Sequence, residues 1–110
     1  MYTLTTRARG NPDFGQDPNV PPYGVVNLAL YAPTLLALQA KVVAWIATNN
    51  LGGGNWWSNT PVFRLDETRN RRSGRTHTTS VLIGHMSYNG RVWIDDDVEV
   101  LPAHIAPQEG

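Results

Sequence analysis

Polar and apolar positions alternate from Tyr2 to Arg9, which predicts a first strand with Tyr2, Leu4, Thr6 and Ala8 toward a core. Arg7 and Arg9 then face outward. Val25 to Tyr31 reads as a second strand with Val26, Leu28 and Leu30 on one face. Beyond Pro33 the period changes: Leu35, Leu38, Val42, Trp45 and Ile46 recur at helical spacing. Pro33 suits the first turn of a helix, where its missing N–H is harmless. Leu36, Val43 and Ala47 carry the apolar surface further round, and only Gln39 and Lys41 are strongly polar mid-helix. A helix of this kind is expected to be covered on more than one side. Asn49, Asn50 and the glycines that follow are expected to end it through left-handed backbone.

Pro61 to Asp66 predicts a third strand with Phe63 and Leu65 inward, followed by a basic turn from Glu67 to Arg75. Thr76 to Tyr88 reads as a long strand, and Arg91 to Ile94 returns beside it. Asn89-Gly90 predicts a two-residue type I′ turn between them. That register sets Met86 opposite Trp93 and His85 opposite Ile94. One face then carries Leu82, Met86, Tyr88, Arg91 and Trp93, and the other Val81, Ile83, His85, Val92 and Ile94. Both faces are apolar, so the hairpin is expected inside the sheet with both sides covered. One helix covers one side; the other calls for the long loop, the tail or a second subunit, and a homodimer is therefore expected. Val98 to Leu101 predicts a short edge strand, and residues 102–110 a loose tail. The fold class expected is α+β, one domain over residues 1–110. It has an antiparallel sheet of about four to six strands on one long helix, about residues 33–50.

At 110 residues a second core is not expected. The chain has no cysteine, which excludes disulfides, thiolate metal sites and a Cys nucleophile. Residues 1–10 contain no secretory h-region, and the longest apolar stretch, Pro33 to Thr48, is too short to span a bilayer. A cytoplasmic location is the expectation, with no membrane partner. Net charge is zero but uneven, +5 over residues 1–94 and −5 over residues 95–110.

Gly10 to Gly24 contains seven Gly or Pro in fifteen residues and reads as a long loop pinned by Phe14 and Tyr23. Gly52-Gly53-Gly54 is not a phosphate cradle. It follows the helix C-terminus rather than preceding an N-terminus, and it lacks the Gly-Lys-Ser/Thr signature. It reads instead as a helix stop with close backbone contact. Trp45 and Trp93 read as core. Trp56 and Trp57, being adjacent, point to opposite faces of an extended segment, so one indole is free for a pocket or partner. Arg69, Arg71, Arg72 and Arg75 lie within seven residues, and guanidinium forks bind phosphate or carboxylate bidentately. The blander reading is a solvated turn attracted to Asp95-Asp96-Asp97. His77 and His85 share a face of one strand but stand about 26 Å apart, too far for one metal. His104 with the Asp run matches no ligand spacing, and no metal or cofactor is expected. His77, His85, Asp66, Glu67 and Ser80 are the pieces from which an active site would have to be made. No nucleophile elbow or HExxH run joins them.

Three stretches, Ala8 to Gly24, Leu51-Gly52-Gly53-Gly54-Asn55-Trp56 and Tyr88-Asn89-Gly90-Arg91-Val92-Trp93, together resemble small bacterial accessory-genome proteins. These are of the sort carried by integron gene cassettes and other mobile elements. The resemblance assigns no functional residue; it implies a cytoplasmic bacterial protein with an adaptive role.

The function expected is a non-catalytic binding or interaction protein. Its ligand or partner surface is formed by Asn55, Trp56, Trp57, Phe14 and Tyr23. The alternative is a phosphate or nucleic-acid binder using Arg69, Arg71, Arg72 and Arg75. A second alternative is a small enzyme with His85 or His77 as acid/base.

Overall fold

The computed structural model describes residues 1–95 and 97–101. Its elements are β1 (Tyr2–Thr5), β2 (Ala29–Ala32), α1 (Leu35–Thr48), β3 (Thr60–Arg69), β4 (Thr76–Met86), β5 (Val92–Asp95) and β6 (Val98–Val100). Six antiparallel strands form one sheet in the order β2-β1-β3-β4-β5-β6, and α1 packs on it. This is the α+β architecture expected from the chain's periodicities.

Helix α1 starts at Thr34, whose Oγ1 accepts the Ala37 N–H at 3.1 Å; Pro33 stands one place before that cap. It ends where Asn50 takes φ 54°. There Asn50 N–H bonds Ala47 O and Leu51 N–H bonds Ile46 O, both at 3.1 Å. This double closure is a Schellman motif, with Leu51 and Ile46 both buried beneath it. Asparagine, not glycine, supplies the left-handed residue.

Leu35, Leu38, Val42 and Ile46 join Tyr2, Leu4, Ala8, Val62, Met86 and Val92 in one core. Within one chain the helix is covered on one side only: Leu36 is 65% exposed, and Val43 is also open to solvent. The Val25–Tyr31 strand is corrected to Ala29–Ala32, leaving Val26 and Leu28 exposed. Before Ala29 the chain follows residues 6–8, just past β1, through one backbone bond, Thr6 N–H to Leu28 O at 2.9 Å, and through side chains. Leu28 N–H donates to Thr6 Oγ1, and Ala8 N–H to Asn27 Oδ1, both at 2.9 Å. The Thr6 and Asn27 side chains take the place of regular pairing there.

In β3 the inward residues are Thr60 and Val62, both fully buried, and not Phe63 or Leu65. Phe63 pairs with Thr3, which lies on the opposite face from the core residues Tyr2 and Leu4. The Asn89-Gly90 bend also differs from expectation. Ser87 N–H bonds Arg91 O at 2.8 Å and Gly90 N–H bonds Ser87 O at 3.0 Å, so the loop has three residues, Tyr88-Asn89-Gly90. Only Gly90 is left-handed, φ 83°, and it sits so close to α1 that a Cβ would come within 2.8 Å of Val43 Cγ2. The extra loop residue shifts the register by one, pairing Met86 with Val92 and His85 with Trp93. Met86 and Val92 are therefore fully buried together under the helix. The two predicted faces are mixed accordingly. The side opposite the helix is not fully covered, since Leu82 on it is 54% exposed.

Candidate nucleic-acid interface

Past its pairing with β1 and β5 the sheet narrows to two strands. β1 meets β3 only at Arg64 and Phe63, and β5 meets β4 only at His85 and Met86. From Asp66 to Thr79 the β3–β4 hairpin is paired with itself alone, through Asp66–Thr79, Glu67–Thr78, Thr68–His77 and Arg69–Thr76. Every residue from Glu67 to Ser80 is exposed. The molecule is elongated, 56 × 30 × 22 Å with a radius of gyration of 15.9 Å, in keeping with a projecting ribbon. A compact domain of this length would have about 13 Å.

The turn closing this arm is well specified. Asn70 N–H bonds Arg75 O at 2.9 Å, and Gly74 N–H bonds Asn70 O at 2.8 Å. Asn70 Oδ1 accepts from Arg72 N–H at 2.9 Å and Ser73 N–H at 3.2 Å. Arg71 and Arg72 thus sit at the apex, with Arg69 and Arg75 at its shoulders. Residues 68–80 contain four arginines and no Asp or Glu. Among the described residues the ion pairs are Arg64–Asp66 and Arg91–Glu99, so none of the four tip arginines is paired. Arg64 holds Asp66 through bonds of 3.0 and 3.1 Å, an arrangement that raises the Arg64 pKa and occupies the carboxylate at the arm's base. The expected attraction of this turn to the Asp95–Asp97 run is absent for Asp95 and Asp97. Asp95 lies past the His85–Trp93 pair, about 25 Å of strand from the tip. Asp96 lies outside the described residues.

The other candidates are placed as follows. Asn55 staples two loops: its Nδ2 donates to Arg9 O at 3.0 Å and Gln16 Oε1 at 3.2 Å, and its Oδ1 accepts Gly52 N–H at 3.0 Å. It thereby joins the glycine turn to the Gly10–Gly24 loop, with its amide fully engaged. Gly54 makes this approach possible, since a Cβ there would lie 2.4 Å from Asn11 Nδ2. Trp56 is 4% exposed, donates Nε1–H to Met86 O at 2.9 Å, and meets the Trp45 ring edge-on at 6.2 Å. Trp57 is half-buried on the opposite side. The Arg9 and Arg7 guanidinium carbons lie 4.2 and 5.7 Å from its ring centroid. Phe14 is 81% exposed and Tyr23 wholly so. These rings do not pin their loop. Its anchors are polar: Asn11 N–H to Gln16 Oε1 at 2.8 Å, Gly10 N–H to Val20 O at 2.9 Å, and the Asn55 contacts. Tyr23 lines a shallow cleft with Gly10, Gln16 and Asp17, and Trp57 is not part of it.

His77 and His85 do not share a face. They pair with Thr68 and Pro61, seven residues apart on β3, because the register shifts at Val62/Phe63. His85 lines a cleft of about 310 Å³ with Ser58, Asn59, Ser87, Trp93 and Asp95. No imidazole–carboxylate hydrogen bond exists among the described residues. Asp66 and Glu67 stand at the arm's base and Ser80 on its return strand; His104 lies outside the described residues. No three His, Asp or Glu side chains among the described residues converge as a metal site.

The pairing of Trp57 with Arg7 and Arg9 escaped the sequence reading, although outward arginines at alternate positions of the segment after β1 were its signal. No protein-family model, no curated protein and no solved structure matches the chain. No helix among the described residues is long and apolar enough to cross a membrane.

Proposed function

We propose that this protein is a non-catalytic binding module that grips nucleic-acid phosphates with the arginine tip of its β3–β4 arm. The observation that carries this is the arm itself: four arginines with no acidic partner among the described residues, held on a hydrogen-bonded turn at the end of a projecting ribbon. The aromatic surface is a weaker candidate because Trp56 is spent in the core and Asn55 on stapling loops. Binding of random-sequence DNA, followed by fluorescence anisotropy between 50 and 200 mM salt, tests the proposal. Four phosphate contacts give a log–log salt slope of about −3.6, at ~0.9 per contact. R71A/R72A lowers that slope by about 2. No anisotropy change at ~100 µM protein, the weak end of non-specific binding, refutes the reading.

Pairing of two copies through the open flank of α1 is part of the proposal. Leu36, Ala40 and Val43 line an apolar groove of about 540 Å³ beside Gly90, and a dimer brings two arms to one ligand. Sedimentation with the Leu36→Lys variant as control checks it; wild-type protein that stays monomeric at tens of micromolar removes this part alone.

A further inference from the structure

We infer that the arm is shaped for the major groove of B-form DNA; this rests on the phosphate-gripping reading above. Width is the first ground. Two paired strands lie about 4.8 Å apart, and with side chains the ribbon is roughly 10 Å across. It fits the B-form major groove, about 12 Å wide, and not the minor groove, about 6 Å. The major groove of A-form RNA is too narrow and deep for side chains to read.

Reach is the second. The self-paired section from Asp66 to Arg69, with Thr76 to Thr79 opposite and the turn beyond, exceeds 13 Å at about 3.4 Å per residue. A B-form major groove is about 8.5 Å deep, so the tip reaches its floor before the body meets the backbone. Charge agrees with this geometry. Arg69 and Arg75 flank the turn where the two phosphate rims would pass, and Arg71 and Arg72 point the apex at base edges, where guanidinium pairs with guanine. Glu67, exposed nearer the body, leaves the distal end as the favourable place for phosphate.

The arm's chemistry excludes a single-strand platform. Residues 66–80 hold no Phe, Tyr or Trp, the rings on which unpaired bases stack. They hold instead Thr68, Thr76, His77, Thr78 and Thr79, short donors and acceptors suited to phosphate oxygens and groove edges.

The test uses the intact protein and three labelled probes of one sequence at one salt concentration: a DNA duplex, an RNA duplex and single-stranded DNA. The DNA duplex should bind about tenfold tighter than either other probe, and R71A/R72A should abolish most of that preference. Methyl green, which occupies the major groove, should displace the protein, and netropsin, which occupies the minor groove, should not. Equal or tighter binding of RNA or single strands, or displacement by netropsin alone, overturns the inference and leaves the phosphate reading standing. Failure of all three probes to bind overturns both. The substituted arginines are exposed, and an unchanged far-ultraviolet spectrum establishes that the variant is folded.

Discussion

Replacing Trp56 with Phe separates a core indole from a ligand-facing one, and its cost follows from the contacts. The ring is buried, so the Nε1–H bond to Met86 O at 2.9 Å is made away from water. Phenylalanine cannot donate, and leaving a buried acceptor unpaired costs about 1–3 kcal/mol. The smaller ring also removes about 40 Å³, which at ~24 cal/mol per Å³ of cavity adds ~1 kcal/mol. The edge-on contact with Trp45 survives with a phenyl ring, so no further loss is assigned to it. The expected destabilisation is about 2–4 kcal/mol, or a fall in Tm of roughly 9–17 °C for a domain of this size. Urea unfolding followed by far-ultraviolet circular dichroism measures it, with an unchanged m-value showing that the unfolded reference has not moved. Trp57→Phe is the matched control: it keeps a ring beneath Arg9, loses no hydrogen bond made by the indole nitrogen, and should cost less than ~0.5 kcal/mol. If Trp56→Phe is as mild as its neighbour, the buried-indole argument fails, and Trp56 returns as a candidate for ligand contact.

Glu99 accepts two hydrogen bonds from Arg91, at 2.8 and 2.7 Å, and the guanidinium holds its carboxyl below the usual range. A carboxyl lowered on folding contributes stability above its unfolded pKa of about 4.3 and loses it as pH falls through the folded value. The stability gap between wild type and Glu99→Gln should therefore be constant from pH 6 to 8 and close below about pH 4; a gap that widens on acidification contradicts the pairing. Gly90→Ala meets both an unfavourable left-handed backbone and Val43 Cγ2 at 2.8 Å, and should lower stability by about 1–3 kcal/mol by urea titration. A neutral result would mean that the turn does not press on α1. Asn55→Ala releases the Arg9, Gln16 and Gly52 partners, so limited proteolysis should cut the Gly10–Gly24 loop faster while the core spectrum is unchanged. Equal cleavage rates would rule out the staple.

Elements with one strong local cause were legible in the sequence. The 3.6-residue period of Leu35, Leu38, Val42 and Ile46 found both the helix and its buried stripe. Tyr2, Leu4, Thr6 and Ala8 are all buried, as their alternation indicates. What failed depended on one residue more or less. Asn89-Gly90 fits a two-residue or a three-residue turn, and only the fit of Gly90 against Val43 selects the second. Choosing the first moved Met86 away from Val92 and misassigned both faces. The shift at Val62/Phe63 is marked in the sequence only by Gly84, a lone strand glycine opposite Val62, and it divides His77 from His85. The candidate site was legible as composition, since the four arginines stand in one short segment. Its projection was not, because a strand pattern says nothing about which neighbours stop short of the ribbon's end.

The arginines have a competing explanation that their positions decide against. Exposed strand edges invite pairing with other chains, and proteins commonly blunt them with charge. The arm has two such edges, from Asp66 to Arg69 and from Thr76 to Ser80. Charges serving that purpose belong along the strands. Here β4 carries only Thr, Ser and His over its free edge, and β3 carries Asp66, Glu67 and Arg69. Arg71, Arg72 and Arg75 stand in and beside the turn, where the backbone groups are already satisfied by Asn70 and Gly74. Edge protection would not concentrate like charge there, where the arginines repel one another and no strand needs shielding. An isolated two-stranded ribbon is also marginal in water, so the chain sustains a costly projection and crowds positive charge at its end. An anionic ligand accounts for both features at once. If so, saturating DNA should slow backbone amide exchange at Asn70, Gly74 and Arg75 while leaving α1 unchanged. Protection spread evenly over the whole sheet would instead mean general stabilisation without contact at the tip.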